Sequence, residues 1–185
     1  MNKTSGNTYF SAVDVALTAV FSALWIVINL TLGPLSFSLT GLPVLHAFGI
    51  FFTLLLVAWV TGRFGTSSMA GIIGTIFALL LGAPVLIVCF SASAVVFDLL
   101  MFANHHKIRI ARNSLAITAV VTMASSYLAG VLIVLFGFVG GGLQYGVTFW
   151  GAWTLAGGVL ALAVTLPIII ALEKAHVRKI KGDRD

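Results

Sequence analysis

Long apolar runs, interrupted by short turn signals, dominate the pattern along this chain. No charged residue occurs from Val15 to Gly62, from Phe64 to Phe97, or from Asn113 to Leu172. One crossing of a bilayer needs about 20 predominantly apolar residues. Each run exceeds that length, so we expect more than one transmembrane helix in each.

Glycine and proline divide the runs further, at Gly33-Pro34 and Gly82-Ala83-Pro84 among others, and a polar segment at 104–113 separates two more spans. The third predicted span is short for a bilayer and is compatible with a tilted or partly re-entrant helix. The predicted fold is an all-α integral membrane protein, a single six-helix domain over residues 1–185. Its predicted spans are 12–32, 42–61, 67–82, 85–103, 113–136 and 147–172, followed by a basic cytoplasmic tail at 173–185.

Composition supports the membrane assignment and limits the classes of partner that we expect. Of the 185 residues, 60% are hydrophobic and 8% are charged, and the mean hydropathy is +1.14. About a quarter of the residues are charged in soluble domains. The net charge of +5 favours contact with anionic membrane lipids, and no nucleic-acid partner is expected. The single cysteine, Cys89, excludes an internal disulfide and a multi-cysteine metal site.

The basic residues indicate the orientation. With the N-terminus inside, all ten Lys and Arg residues fall on one side of the membrane, as the positive-inside rule requires, and the outer loops carry no charge. Both termini are then predicted to be cytoplasmic. The N-terminal stretch is polar and unlike a signal peptide, so we expect the first helix to be retained.

A stripe of alanines marks the first span. Ala12, Ala16, Ala19 and Ala23 recur at steps that place them on one face of a helix. Small residues let two membrane helices approach closely, so this face is suited either to packing inside the chain or to docking a separate membrane subunit. A second small-residue series in the last span is expected to pack against a neighbouring helix; it comprises Gly151, Ala152, Ala156, Gly157, Gly158 and Ala161.

Six spans in under 200 residues, cytoplasmic termini and the motif Ala19-x-x-x-Ala23 together resemble the substrate-binding S component of an energy-coupling-factor (ECF) vitamin transporter. The resemblance covers the whole chain as architecture. It implies a prokaryotic plasma-membrane importer in which the alanine face, with Ala12 and Ala16 extending it, docks on a transmembrane T component. Two cytoplasmic ATPase subunits would supply the energy.

Polar groups at membrane depth are energetically costly and therefore candidates for ligand binding. The outer half of the chain carries such groups without any fixed charge, which suits a neutral or mildly cationic heteroaromatic solute. The resemblance implies the same region for a vitamin or vitamin precursor. Trp150 and Trp153 share a helix face but equally fit membrane-interface anchors. The predicted substrate-binding residues are Asn29, His46, Gln144, Tyr145, Trp150 and Trp153.

No metal site and no cofactor are predicted, because no second ligand accompanies His46 at helical spacing. Asp14 and Asp98 lie near the inner edge of the membrane, where we expect each carboxylate to snorkel to the surface or to pair with a cation such as Arg63, Lys107 or Arg109. For Asp98 the alternative is a role in proton coupling or in contact with partner subunits. The adjacent His105 and His106 are expected to be solvated or to face lipid.

No catalytic residues are predicted, because the serines within the spans lack a suitably spaced base and no phosphate-binding loop occurs. Any use of ATP would come from partners. The alternative function is an autonomous, homo-oligomeric secondary transporter or channel, although the midplane holds no coupling charge.

Overall fold

The computed structural model describes residues 9–140 and 142–175 of the chain. Within them the fold is helical throughout and contains no strand, which confirms the all-α prediction. A 3₁₀ turn at Met101–Asn104 extends the fourth helix, and a π-helical turn at Gly146–Trp150 lies inside the sixth. The helices are α1 (Ala12–Thr40), α2 (Val44–Thr61), α3 (Thr66–Leu80), α4 (Ile87–Leu100), α5 (Arg112–Leu135) and α6 (Gly142–Lys174).

Five of these helices are long and apolar enough to cross a membrane when α4 is counted with its 3₁₀ turn, as Ile87–Asn104. The exception is α3, a shorter apolar helix of 15 residues. At 1.5 Å per residue α3 extends for roughly 22 Å, less than the ~30 Å hydrocarbon core of a bilayer. The predicted tail at 173–185 is described only as far as residue 175, and 176–185 lie outside the described residues.

The helices pack side by side in the cyclic order α1, α2, α6, α5, α4, α3 and back to α1. In this ring α5 lies opposite α1. Helix α2 also touches α3, α4 and α5 across the ring, and it is the most buried of the five long helices.

Helix α1 begins at a capping box, in which the Ser11 hydroxyl and the Asp14 carboxylate each accept a backbone N–H of the other residue. The predicted end at Gly33-Pro34 is wrong, because both residues lie inside α1, which continues to Thr40. Membrane helices tolerate proline where neighbours hold the surrounding turns. Here Ser36 Oγ accepts the backbone N–H of Leu45, 3.0 Å away in α2.

Trp25 fixes α1 against α3. Its side chain is fully buried, and its indole Nε1 donates to Thr75 Oγ1 at 3.0 Å. The ring lies over Gly74, where a Cβ would be only 2.7 Å from Trp25 Cδ1. The missing side chain at position 74 therefore makes room for the indole and lets the two helices approach closely.

The start of α1 meets the α2–α3 connection at one end of the bundle. Arg63 Nε lies 3.2 Å from Asp14 Oδ2, and the Arg63 guanidinium also donates to the Tyr9 carbonyl. The prediction that Asp14 pairs with a nearby cation is confirmed.

Asp98, at the end of α4, joins the same end of the bundle. Its Oδ2 accepts the backbone N–H groups of Gly65 and Ser68 at 2.9 and 3.0 Å, and the Ser68 hydroxyl at 2.8 Å. The expected Lys or Arg partner is thus replaced by the N-terminus of α3. His106, expected to be solvated, is half-buried, with Nδ1 3.7 Å from Asp98 Oδ1.

The last turn of α6 reaches this end too, because Trp59 Nε1 donates to Glu173 Oε1 at 3.0 Å. Every charged residue in the described part of the chain belongs to this end or to the loops and helix ends beside it. These residues are Asp14, Arg63, Asp98, Lys107, Arg109, Arg112, Glu173 and Lys174.

Candidate functional site

Asn29 of α1 and His46 of α2 form a buried polar pair at the uncharged end of the bundle. His46 Nε2 lies 2.8 Å from Asn29 Oδ1, and both residues are about 1% exposed. Asn29 Nδ2 donates to the Trp25 carbonyl at 2.8 Å, which orients Oδ1 towards His46. A carboxamide oxygen only accepts hydrogen bonds, so His46 Nε2 carries the hydrogen and Nδ1 of the neutral ring keeps its lone pair.

The other nitrogen of His46 has no protein partner. Nδ1 is buried and makes no hydrogen bond to any described residue. Phe90 packs beside the imidazole, with ring centroids 4.6 Å apart. On another side lies Gly33, where a Cβ would be 3.6 Å from Nδ1. A Cβ here would also be 3.6 Å from Cε1 and 3.7 Å from Cγ, so Gly33 lies over the face of the ring and not along the Nδ1 lone pair.

Trp150 supplies a second unpartnered nitrogen. It ends the π-helical turn of α6 and is 9% exposed, and its indole Nε1 is buried without a hydrogen-bond acceptor among the described residues. Its ring lies 6.3 Å from Phe37 of α1 and 6.2 Å from Phe149. Buried indole N–H groups usually have a partner, which makes this nitrogen unusual.

The remaining predicted binding residues lie on the exposed rim. Helix α6 begins at Gly142, earlier than the predicted 147, so Gln144 and Tyr145 are in its first turn and exposed. Tyr145 stacks on Phe149 with centroids 4.9 Å apart, and Trp153 lies 6.3 Å from the same ring. Trp153 is 38% exposed, unlike Trp150. The rim residues therefore surround Phe149 and do not join the buried pair.

Three further residues next to the site were not predicted, namely Gly33, Phe37 and Phe90. Gly33 was interpreted as a helix breaker, and the two phenylalanines are among 14 in an apolar chain. Only the spacing of Gly33 and Phe37, which are four residues apart and therefore on one helix face, could have suggested a shared role.

The alanine face of α1 points away from the bundle. All four alanines, Ala12, Ala16, Ala19 and Ala23, are exposed. The contact surface that α1 uses within the chain is its other side, whose buried residues are Asp14, Thr18, Ser22, Trp25, Ile28, Asn29, Gly33 and Ser36. Packing against the other helices of the described residues therefore does not account for the alanine stripe.

The small-residue series of α6 packs inside the bundle at two glycines, unlike the exposed alanine face of α1. Gly157 and Gly158 are buried, and a Cβ at position 157 would lie 2.5 Å from the Val44 carbonyl oxygen of α2. At position 158 a Cβ would overlap Ser126 of α5. The expectation that this series packs against neighbouring helices is confirmed at these positions, although Ala152 is exposed.

No group of three or more His, Cys, Asp or Glu residues that could hold a metal ion occurs in residues 9–140 and 142–175. The uncharged end of the bundle instead offers neutral hydrogen-bonding atoms beside aromatic rings. Comparison of the chain with protein-family models, with curated proteins and with solved structures finds no match in any of the three. By their length and composition, the long apolar helices indicate a multi-pass membrane protein.

Proposed function

We propose that this chain is the substrate-binding subunit of an ECF-type importer in the plasma membrane of a prokaryote. It crosses the membrane six times with both termini in the cytoplasm, captures a small vitamin-like solute at the outer face, and joins a transmembrane T component carrying two ATPase subunits. The chain itself performs no catalysis, and ATP is hydrolysed by its partners.

The exposed alanine face of α1 carries this proposal. Methyl side chains at Ala12, Ala16, Ala19 and Ala23 form a shallow surface that faces away from the chain's own helices. Two membrane helices gain van der Waals contact when small residues let their backbones approach. A helix of a second subunit fits this surface, because the other side of α1 is already occupied.

The charge distribution supports the orientation. All charged side chains of the described residues gather at the end where α1 begins, and the buried Asn29–His46 pair lies towards the other end. Basic residues favour the cytoplasmic side of a membrane. The polar pair and Trp150 would then face the outer half of the bilayer, where an incoming solute arrives.

Docking is tested by enlarging the alanine face. The double variant Ala19→Leu/Ala23→Leu is co-expressed with the T component and ATPases of the source organism, and the complex is recovered through a tag on the ATPase. We expect loss of this chain from the complex and loss of ATP-dependent uptake, because leucine side chains hold the helices apart.

The matched control makes the same change on the opposite helix. Ala116 and Ala124 of α5 are exposed as well, so Ala116→Leu/Ala124→Leu should leave assembly intact. Assembly of the α1 variant at the wild-type level would contradict the proposal. Solute uptake by the purified chain alone in liposomes, without ATPases, would favour the autonomous transporter instead.

A further inference from the structure

The segment that connects α4 to α5 carries a group of exposed basic side chains. Lys107, Arg109 and Arg112 are all exposed, and none of them forms an ion pair with a described residue. No Asp or Glu occurs from Leu99 to Leu172, so the first turn of α5, which begins at Arg112, contains no acidic residue either. The three positive charges are therefore uncompensated within the described part of the chain.

The carboxylates at this end of the bundle have other partners. Asp14 pairs with Arg63, and Asp98 accepts the backbone N–H groups at the start of α3. Glu173 accepts the indole N–H of Trp59. These are all the acidic residues that the structure describes, so a counter-charge for the loop comes from outside the described residues.

Buried contacts anchor the backbone of this loop to α5. Ile108 is fully buried between Lys107 and Arg109. The backbone N–H of Arg109 donates to Ser114 Oγ at 3.0 Å, and Asn104 Nδ2 donates to the same oxygen at 2.9 Å. Because the side chain of Ile108 points inward, its two basic neighbours are held on the outer side of the loop.

Exposed apolar side chains accompany the cations. Phe102, in the 3₁₀ turn before the loop, is 75% exposed, and Ile110 is 46% exposed. A surface that combines cations with apolar side chains, at the end of a bundle of apolar helices, matches the boundary between lipid headgroups and acyl chains. A soluble anion would neutralise the cations but would leave Phe102 and Ile110 in water.

We propose that this loop surface binds anionic phospholipids in the leaflet at the charged end of the bundle. The surface is formed by Phe102, Lys107, Arg109, Ile110 and Arg112. The cations contact the headgroups and the two apolar side chains contact the adjoining acyl chains. The net charge of the chain favours anionic lipids in general, whereas this proposal assigns the contact to one loop. It does not depend on the transport assignment.

The test compares two lipids that differ only in the headgroup. The purified full chain in detergent is titrated with dioleoyl-phosphatidylglycerol or with dioleoyl-phosphatidylcholine, and native mass spectrometry measures the lipid-bound fraction. A basic residue near an anionic membrane surface raises affinity about fivefold, so we expect the wild type to bind phosphatidylglycerol at least about tenfold more tightly. The variant Lys107→Gln/Arg109→Gln/Arg112→Gln should lose most of this preference.

The matched control removes the same charge from the C-terminal tail. Arg178→Gln/Lys179→Gln/Lys181→Gln also lowers the net charge by three, and it should keep the wild-type preference for phosphatidylglycerol. The loop side chains are exposed, so the loop variant should unfold at the wild-type temperature. A loss of preference in that variant then reports the missing charges and not a damaged fold.

The proposal is overturned if the wild type binds the two lipids equally, if the loop variant keeps the wild-type preference, or if the tail variant loses as much preference as the loop variant. Unchanged lipid preference together with lost assembly of the loop variant would identify an acidic protein surface as the partner instead. The lipid measurements use this chain alone. They are independent of the Ala19→Leu/Ala23→Leu experiment, so failure of the lipid site and failure of the transporter assignment are distinguishable.

Discussion

His46 Nε2 and Asn29 Oδ1, 2.8 Å apart, join α1 to α2 in the buried interior of the bundle. The pair satisfies one nitrogen of the imidazole, whereas the other, Nδ1, makes no hydrogen bond to any described residue. This half-satisfied polar pair is the basis for placing a ligand here. It also makes the site sensitive to changes that do not touch the ligand directly.

Asn29→Ala should destabilise the isolated chain by about 1–3 kcal/mol, because it leaves His46 Nε2 buried without a partner. Thermal unfolding in detergent measures the loss. The control is Thr31→Ala, two residues along the same helix, where an exposed hydroxyl bonds only to the Val27 carbonyl of its own helix. A change of less than about 0.5 kcal/mol is expected there, and equal effects in both variants would contradict the structural role of the pair.

Gly130→Ala should be strongly destabilising. A Cβ here would overlap the carbonyl oxygen of Trp150 and the hydroxyl of Thr154, so α5 and α6 would have to separate. Overpacking of this kind costs about 1–3 kcal/mol, and backbone contact leaves little room for relief. Gly140→Ala, where a Cβ meets nothing within 4 Å, serves as the control for unfolding measurements. Similar unfolding temperatures for the two variants would argue against this helix contact.

Asp98→Ala should loosen the charged end of the bundle. The substitution removes the acceptor for the N–H groups of Gly65 and Ser68, and hydrogen bonds to charged groups are worth about 1.5–3 kcal/mol. Ser68→Ala removes only the hydroxyl contact and should cost about 1 kcal/mol. Hydrogen exchange should show faster opening at the start of α3 in Asp98→Ala. Unchanged protection there would show that Asp98 does not cap this helix.

Ala19→Leu/Ala23→Leu should leave the isolated subunit as stable as the wild type, within about 0.5 kcal/mol, because both positions are exposed. Loss of stability without partners would mean that the alanine face takes part in internal packing.

Part of the candidate site could be predicted from the sequence alone. Asn29, His46 and Trp150 stand out as polar or amphipathic groups in apolar spans, because such groups are costly in lipid. Nothing in the sequence indicates that residue 29 contacts residue 46. Nor does it indicate that Trp150 is buried whereas Trp153, three positions later, is exposed. Gly33 was misinterpreted for a related reason: Gly-Pro ends helices in water, whereas here contacts between Ser36 and α2 hold the following turns.

The apolar runs by themselves determined that this is an all-helical membrane protein, because only transfer into lipid accommodates so little charge. The sequence also contains two small-residue stripes, in α1 and α6, and the two cannot be told apart as patterns. The tertiary structure decided that Gly157 and Gly158 are buried against α2 and α5 and that Ala19 and Ala23 remain exposed. The physical reason is that a small side chain permits close approach on any face, and only the arrangement of the other helices determines which face is covered.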